Sequence, residues 1–96
     1  MLLLISYQFL PLVQASPETT AATGKLQAEI TAHAIDQRQP ISGTWLIDTS
    51  EDVDVWAHRL RPLIADTDRL LVTRVQGRTN GLLPPEFWGW INPRAV

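Results

Sequence analysis

The chain has no cysteine, and among its 96 residues there is one tyrosine, one methionine and one lysine. Without cysteine there is no disulfide framework, no thiolate metal site and no thiol nucleophile. The absence also fits a reducing, cytoplasmic setting. Positive charge is not in excess: eight Arg and Lys face ten Asp and Glu, for a net charge of −2. A protein that grips nucleic acid through its phosphates ordinarily carries a basic surplus. No apolar run approaches the ~20 residues that span a bilayer, so no membrane partner is expected. Only His33 and His58 carry imidazoles. They fall in different predicted helices with no second His at ligand spacing, which makes surface or helix-end roles the expectation. There is no Gly-rich phosphate loop, and no Ser-His-Asp set has a supporting local context.

What is present is an ordinary globular composition, 45% hydrophobic, in a length suited to one domain spanning 1–96. A chain of this size buries only about 60–65% of the surface its unfolded form exposes. Pairing with a second copy would therefore add stability.

The opening stretch, Met1 to Tyr7, is a short continuous apolar run, as in a central strand covered on both faces. A competing reading is a secretory signal cleaved after Ala15. Against it, no basic residue precedes the run, and Ser6, Tyr7 and Gln8 interrupt it. Ser16-Pro17-Glu18 then reads as a helix start, with a hydroxyl cap, Pro in the first turn and an acid at the positive end of the dipole. Ala22, Leu26, Ile30 and Ala34 step by four along a narrow apolar stripe, with Lys25 and Glu29 outside. The helix should end near His33 to Ile35.

Asp36 to Pro40 reads as a short edge strand or a turn, because Pro40 is ill suited to a central strand. Ile41 to Asp48 reads as the second clear strand, with Trp45 and Ile47 facing the helices. Thr49-Ser50-Glu51-Asp52 is a helix start with a hydroxyl cap, and Val53, Trp56, Leu60 and Ile64 supply its apolar face. Pro62 should disturb its last turn. The acids Asp48, Glu51, Asp52 and Asp54 are explained by capping and the helix dipole, and Asp66 and Asp68 by loop formation. Arg69 to Val75 reads as a third good strand, with Leu70-Leu71-Val72 at its buried centre and Arg74 leaving the core. Gly77 to Pro85 is turn-rich. The ending, Phe87-Trp88-Gly89-Trp90-Ile91, is too apolar to hang in water. Residues 86–96 are expected to form an added strand or a tail that packs on a partner subunit.

The resulting order predicts an α+β fold: a ferredoxin-like split βαβ sandwich, with two helices on one face of a mainly antiparallel sheet.

Several stretches carry a family resemblance: "LLLISYQF", "GTWLIDTSEDV", "LRPLIADTDRLLV" and the Trp-containing end. Together they resemble the small SinR-like proteins, which are similar in turn to the CRISPR-associated protein 2 superfamily. The resemblance spans most of the chain and implies a ferredoxin-like domain that dimerises through its sheet edges. In the CRISPR-associated branch it implies a metal-dependent nuclease or a structural dimer of the spacer-acquisition complex, in a mobile-element or antiviral defence setting. The nuclease needs an Asp directly after the Tyr that ends the first strand, to bind Mg²⁺ through a carboxylate. This chain has Gln8 there, a neutral amide that cannot act as a base.

The expected protein is therefore a cytoplasmic, homodimeric, non-catalytic interaction module with a protein partner, no cofactor and no metal. Trp88 and Trp90 are its candidate dimer-packing residues. The alternative is a divergent Mg²⁺-dependent nuclease or nucleic-acid-binding dimer, with Arg59, Arg61, Arg74 and Arg78 on phosphates.

Overall fold

The computed structural model describes residues 1–9 and 17–96. They form a small α+β domain with an open, four-stranded antiparallel sheet and three helices. The strands are β1 (Leu2–Gln8), β2 (Asp36–Ile41), β3 (Thr44–Asp48) and β4 (Arg69–Val75); the helices are α1 (Pro17–His33), α2 (Val53–Leu60) and α3 (Pro85–Ile91). The order across the sheet is β2-β3-β1-β4. β1 lies between β3 and β4 and pairs antiparallel with both, while β2 pairs with β3 at one edge.

Alternation along β1 sorts its side chains onto two faces. Leu3 and Ile5 join Trp45 and Ile47 beneath α1 and α2, packed with Leu26, Ile30, Trp56 and Leu60. The stripe on α1 behaves as its spacing implies: Leu26 and Ile30 are fully buried, and the flanking Ala22 and Ala34 are half-buried. Glu29 bonds to His33 at 3.3 Å instead of pairing with Lys25. The Ser16 cap lies outside the described residues. On the opposite face, Leu2 and Leu46 pack with Trp90, Ile91 and Ala95, bordered by Leu4, Val75 and Phe87.

Four sequence expectations change. Ile41 to Asp48 is not one strand: Ser42 and Gly43 turn the chain, and Ile41 ends β2. Gly43 holds φ +76°, and a Cβ there would come within 2.9 Å of the Tyr7 carbonyl oxygen. Its own carbonyl accepts from the Tyr7 N–H at 2.9 Å, so the turn must pass close to β1. Second, the cap of α2 is Asp52, whose Oδ1 accepts from the backbone N–H groups of Asp54 and Val55. A hydroxyl cap is expected from this stretch, but Thr49 is 1% exposed and serves elsewhere. Its hydroxyl oxygen accepts from the Trp56 indole and the Glu51 N–H, both at 3.1 Å. Third, Leu71 is 57% exposed, since β4 is an edge strand whose Leu71 side lies beyond the reach of α3.

Fourth, the tail is neither an added strand nor a free surface. Residues 85–91 form α3, and Pro85 suits its first turn. Trp90 and Ile91 close the sheet face that α1 and α2 leave open. Trp90 is 7% exposed within a single chain, its ring lying in the second core. Trp88 packs half-buried against the same cluster. Pro62 has the expected effect, with α2 ending in a 3-10 turn at Arg61–Leu63.

Trp90→Ala should remove the centre of the second core and lower unfolding free energy by about 3–5 kcal/mol. Urea denaturation followed by far-UV circular dichroism checks this, and a shift of the midpoint within error of wild type would show that α3 does not hold the second face.

Candidate interaction surface

Three regions bring polar or exposed apolar groups together. The first is a ring of charge around Trp90. The indole N–H donates to Asp36 Oδ2 at 2.9 Å. Arg38 and Arg94 stack on the indole at 5.1 and 4.4 Å from its centroid. Arg38 donates to Asp36 Oδ1 at 2.8 Å, while Arg94 donates to Asp48 Oδ2 at 3.2 Å and to the Trp90 carbonyl at 2.9 Å. Every charge here faces an opposite one, and the ring ties α3 to β2 and β3. The Trp90 indole and then the Gln37 N–H hold the Asp36 carboxyl below its ordinary 3.8. This constellation has no local sequence signal, because Asp36 and Trp90 stand 54 positions apart.

The second region is a concavity of about 880 Å³ where β1 ends, lined by Gln8, Tyr7, Phe9, Gln39, Ser42 and Arg69 among others. Gln8 sits directly across from Arg69 in the β1–β4 register. The described lining contains hydroxyls, amides and one guanidinium, with no carboxylate. A divalent cation at Gln8 would meet one neutral oxygen and a fixed positive charge, and hard cations are held by carboxylates. Among the described residues, no group of three His, Asp or Glu side chains is placed to hold a metal ion anywhere.

The third region is the half of the sheet that α3 leaves uncovered. One cross-strand row runs through all four strands: Ile41 pairs with Thr44, Thr44 with Ser6, and Ser6 with Leu71. Ile41 is 59% exposed, at the other end of the row from the similarly open Leu71. The Ser6 and Thr44 hydroxyls join at 3.2 Å between them. The row therefore reads apolar, hydroxyl, hydroxyl, apolar from either edge.

The four arginines proposed for phosphate contact divide in two. Arg59 makes two bonds to the Glu51 carboxylate, at 3.0 and 2.9 Å, and lies 4.8 Å above the Trp56 ring. Glu51 is held below its ordinary 4.5 by that pairing, and Arg59 is raised in return. Arg61 is bonded to Asp66 and to the Ile64 carbonyl. Arg74 and Arg78 are exposed, and their side chains have no ion pair or hydrogen bond among the described residues. The expected acidic cluster is dispersed: Asp48 meets Arg94, Glu51 meets Arg59, and Asp52 caps α2. Asp68 accepts from the Ala65 N–H at 2.9 Å, a loop-forming contact. His33 stands edge-on to Trp56 at 6.5 Å, and His58 is exposed on α2.

No protein-family model matches this chain, and no curated protein is significantly similar to it. No helix among the described residues is long and apolar enough to cross a membrane.

The lowered carboxyls of Asp36 and Glu51 set an acid limb of stability. Each binds its proton less readily when folded than when unfolded, so its contribution is complete above the ordinary carboxyl value. That contribution is lost as pH falls below 4.5 for Glu51 and below 3.8 for Asp36. Urea midpoints measured from neutral to acid pH should fall less steeply for Asp36→Asn and Glu51→Gln than for wild type, and parallel curves would contradict this account.

Proposed function

We propose that this protein is a small, cytoplasmic, non-catalytic interaction module with a ferredoxin-like, split βαβ sheet, and that it pairs with a second copy through the uncovered half of that sheet. The observation that carries the reading is the row Ile41, Thr44, Ser6, Leu71. A two-fold interface brings one patch against itself, so it needs a self-complementary surface. This row is chemically symmetric about its centre. An axis along the strands sets Ile41 against the partner's Leu71, and an axis along the row sets each apolar group on its own copy. Either arrangement removes two exposed apolar side chains per protomer from water and leaves the hydroxyl pair at the centre. The resemblance to the SinR-like proteins implies a dimer formed through sheet edges, so it supports pairing with a second copy, while the choice of this face rests on the row alone. It assigns the dimer to the sheet and not to Trp88 and Trp90.

A second reading, a nucleic-acid-binding dimer, rests on Arg74 and Arg78 alone, because Arg59 and Arg61 already face carboxylates. The divergent-nuclease form has still less support, since Gln8 faces Arg69 and the described lining around it carries no acid.

Sedimentation equilibrium should give a dimer mass for wild type and a monomer mass for both Ile41→Lys and Leu71→Lys. Each site is exposed, so stability should stay within about 0.5 kcal/mol of wild type. A strictly monomeric wild-type protein at all concentrations would remove the reading.

A further inference from the structure

We infer that the outer edge of β4 is a docking site for an acidic, extended peptide segment of another protein, which adds to the sheet as a fifth strand. The inference rests on the interaction-module reading and adds a partner class at the free edge of β4, the strand whose Leu71 also ends the two-fold row.

β4 pairs with β1 on one side only. Among the described residues its other edge makes no backbone or side-chain hydrogen bond. A strand edge of this kind carries alternate N–H and C=O groups ready to pair with another backbone. The opposite edge of the sheet is blunted, because β2 contains Pro40 at a register irregularity and its Asp36 and Arg38 already pair with each other. β4 has no such protection.

Charge selects the occupant. Residues 69–85 contain Arg69, Arg74 and Arg78 and no Asp or Glu, in a chain whose net charge is −2. All three arginines are exposed and unpaired among the described residues. A second β4 would bring a further set of these arginines to the same edge, whereas an acidic segment would offset them. Nucleic acid would find phosphate contacts but no stacking surface, since β4 has no aromatic residue. A peptide backbone satisfies the open edge, and carboxylates satisfy the arginines.

Register gives the pattern. Arg69 and Arg74 lie five positions apart and so project to opposite faces, while Leu71 shares the face of Arg69. An added antiparallel strand would therefore place acids opposite Arg74 and Arg69, and an apolar residue beside Leu71. That residue extends the row that already crosses the sheet.

The test uses the full chain and the blocked peptide Gly-Glu-Thr-Val-Leu-Thr-Glu-Gly. Titration followed by amide NMR should shift resonances of 69–75 and slow the exchange of alternate β4 amides. Binding should weaken on the order of tenfold in the Arg69→Gln/Arg74→Gln double variant, as expected for two exposed ion pairs. It should be lost with a peptide carrying Lys for Glu, or with one N-methylated at alternate residues. Ile41→Lys should bind the peptide as wild type does, which separates this site from self-association. The inference is overturned if the shifts map away from β4, or if the N-methylated peptide binds equally well. It is overturned too if the β4 amides that point away from β1 are already protected in the free protein, or if an oligonucleotide of equal charge binds there while the peptide does not.

Discussion

A strand that carries apolar side chains on both faces must be covered twice, and β1 imposes that requirement on the whole molecule. Leu3 and Ile5 demand one cover and Leu2 the other. α1 and α2 lie over the first face and bury it through Trp56, Leu26 and Ile30. The second face falls to the last segment of the chain, since the connections carrying α1 and α2 are already committed. α3 is short, so it closes only the rows through Leu2 and Leu46. Where its cover stops, the sheet opens into the Ile41-to-Leu71 row and the concavity at Gln8.

The polar groups follow from the same arrangement. Burying tryptophans beneath short helices leaves indole N–H groups that need acceptors. Trp56 takes the Thr49 hydroxyl, and Trp90 takes Asp36. Each ring is then capped by guanidinium: Arg59 over Trp56, and Arg38 with Arg94 over Trp90. Carboxylates in turn hold those guanidinium groups. Much of the charge that could have met a phosphate is thereby spent internally, and the free cations are concentrated along β4 and just beyond it. A nearly balanced composition thus yields a locally one-signed edge.

Elements set by local pattern were legible in the residues. The alternation of Trp45 and Ile47, the stripe through Leu26 and Ile30, and the disturbance at Pro62 depend on neighbours a few positions away. Boundaries and partners were less legible. The turn at Ser42-Gly43 lay inside an alternating stretch that read as one strand, although a glycine at its second position was the available signal. The cap passed to Asp52 because Thr49 was needed as an acceptor for Trp56, a demand that arises only when α2 packs. The aromatic ending promised burial, but no residue within it specified helix over strand strongly enough to decide the shape.

The sequence by itself determined the element order as far as Val75, the two-sided burial of the first strand, the neutral amide at its end and the absence of thiol chemistry, because composition and short-range periodicity carry these directly. Only the tertiary structure decided that α3 closes the second face, that Arg59 and Arg61 face carboxylates while Arg74 and Arg78 face none among the described residues, and that Ile41, Thr44, Ser6 and Leu71 line up across the sheet. Those outcomes join residues tens of positions apart. Their physical cause is strand order and register, which follow from how the whole chain shares one small core.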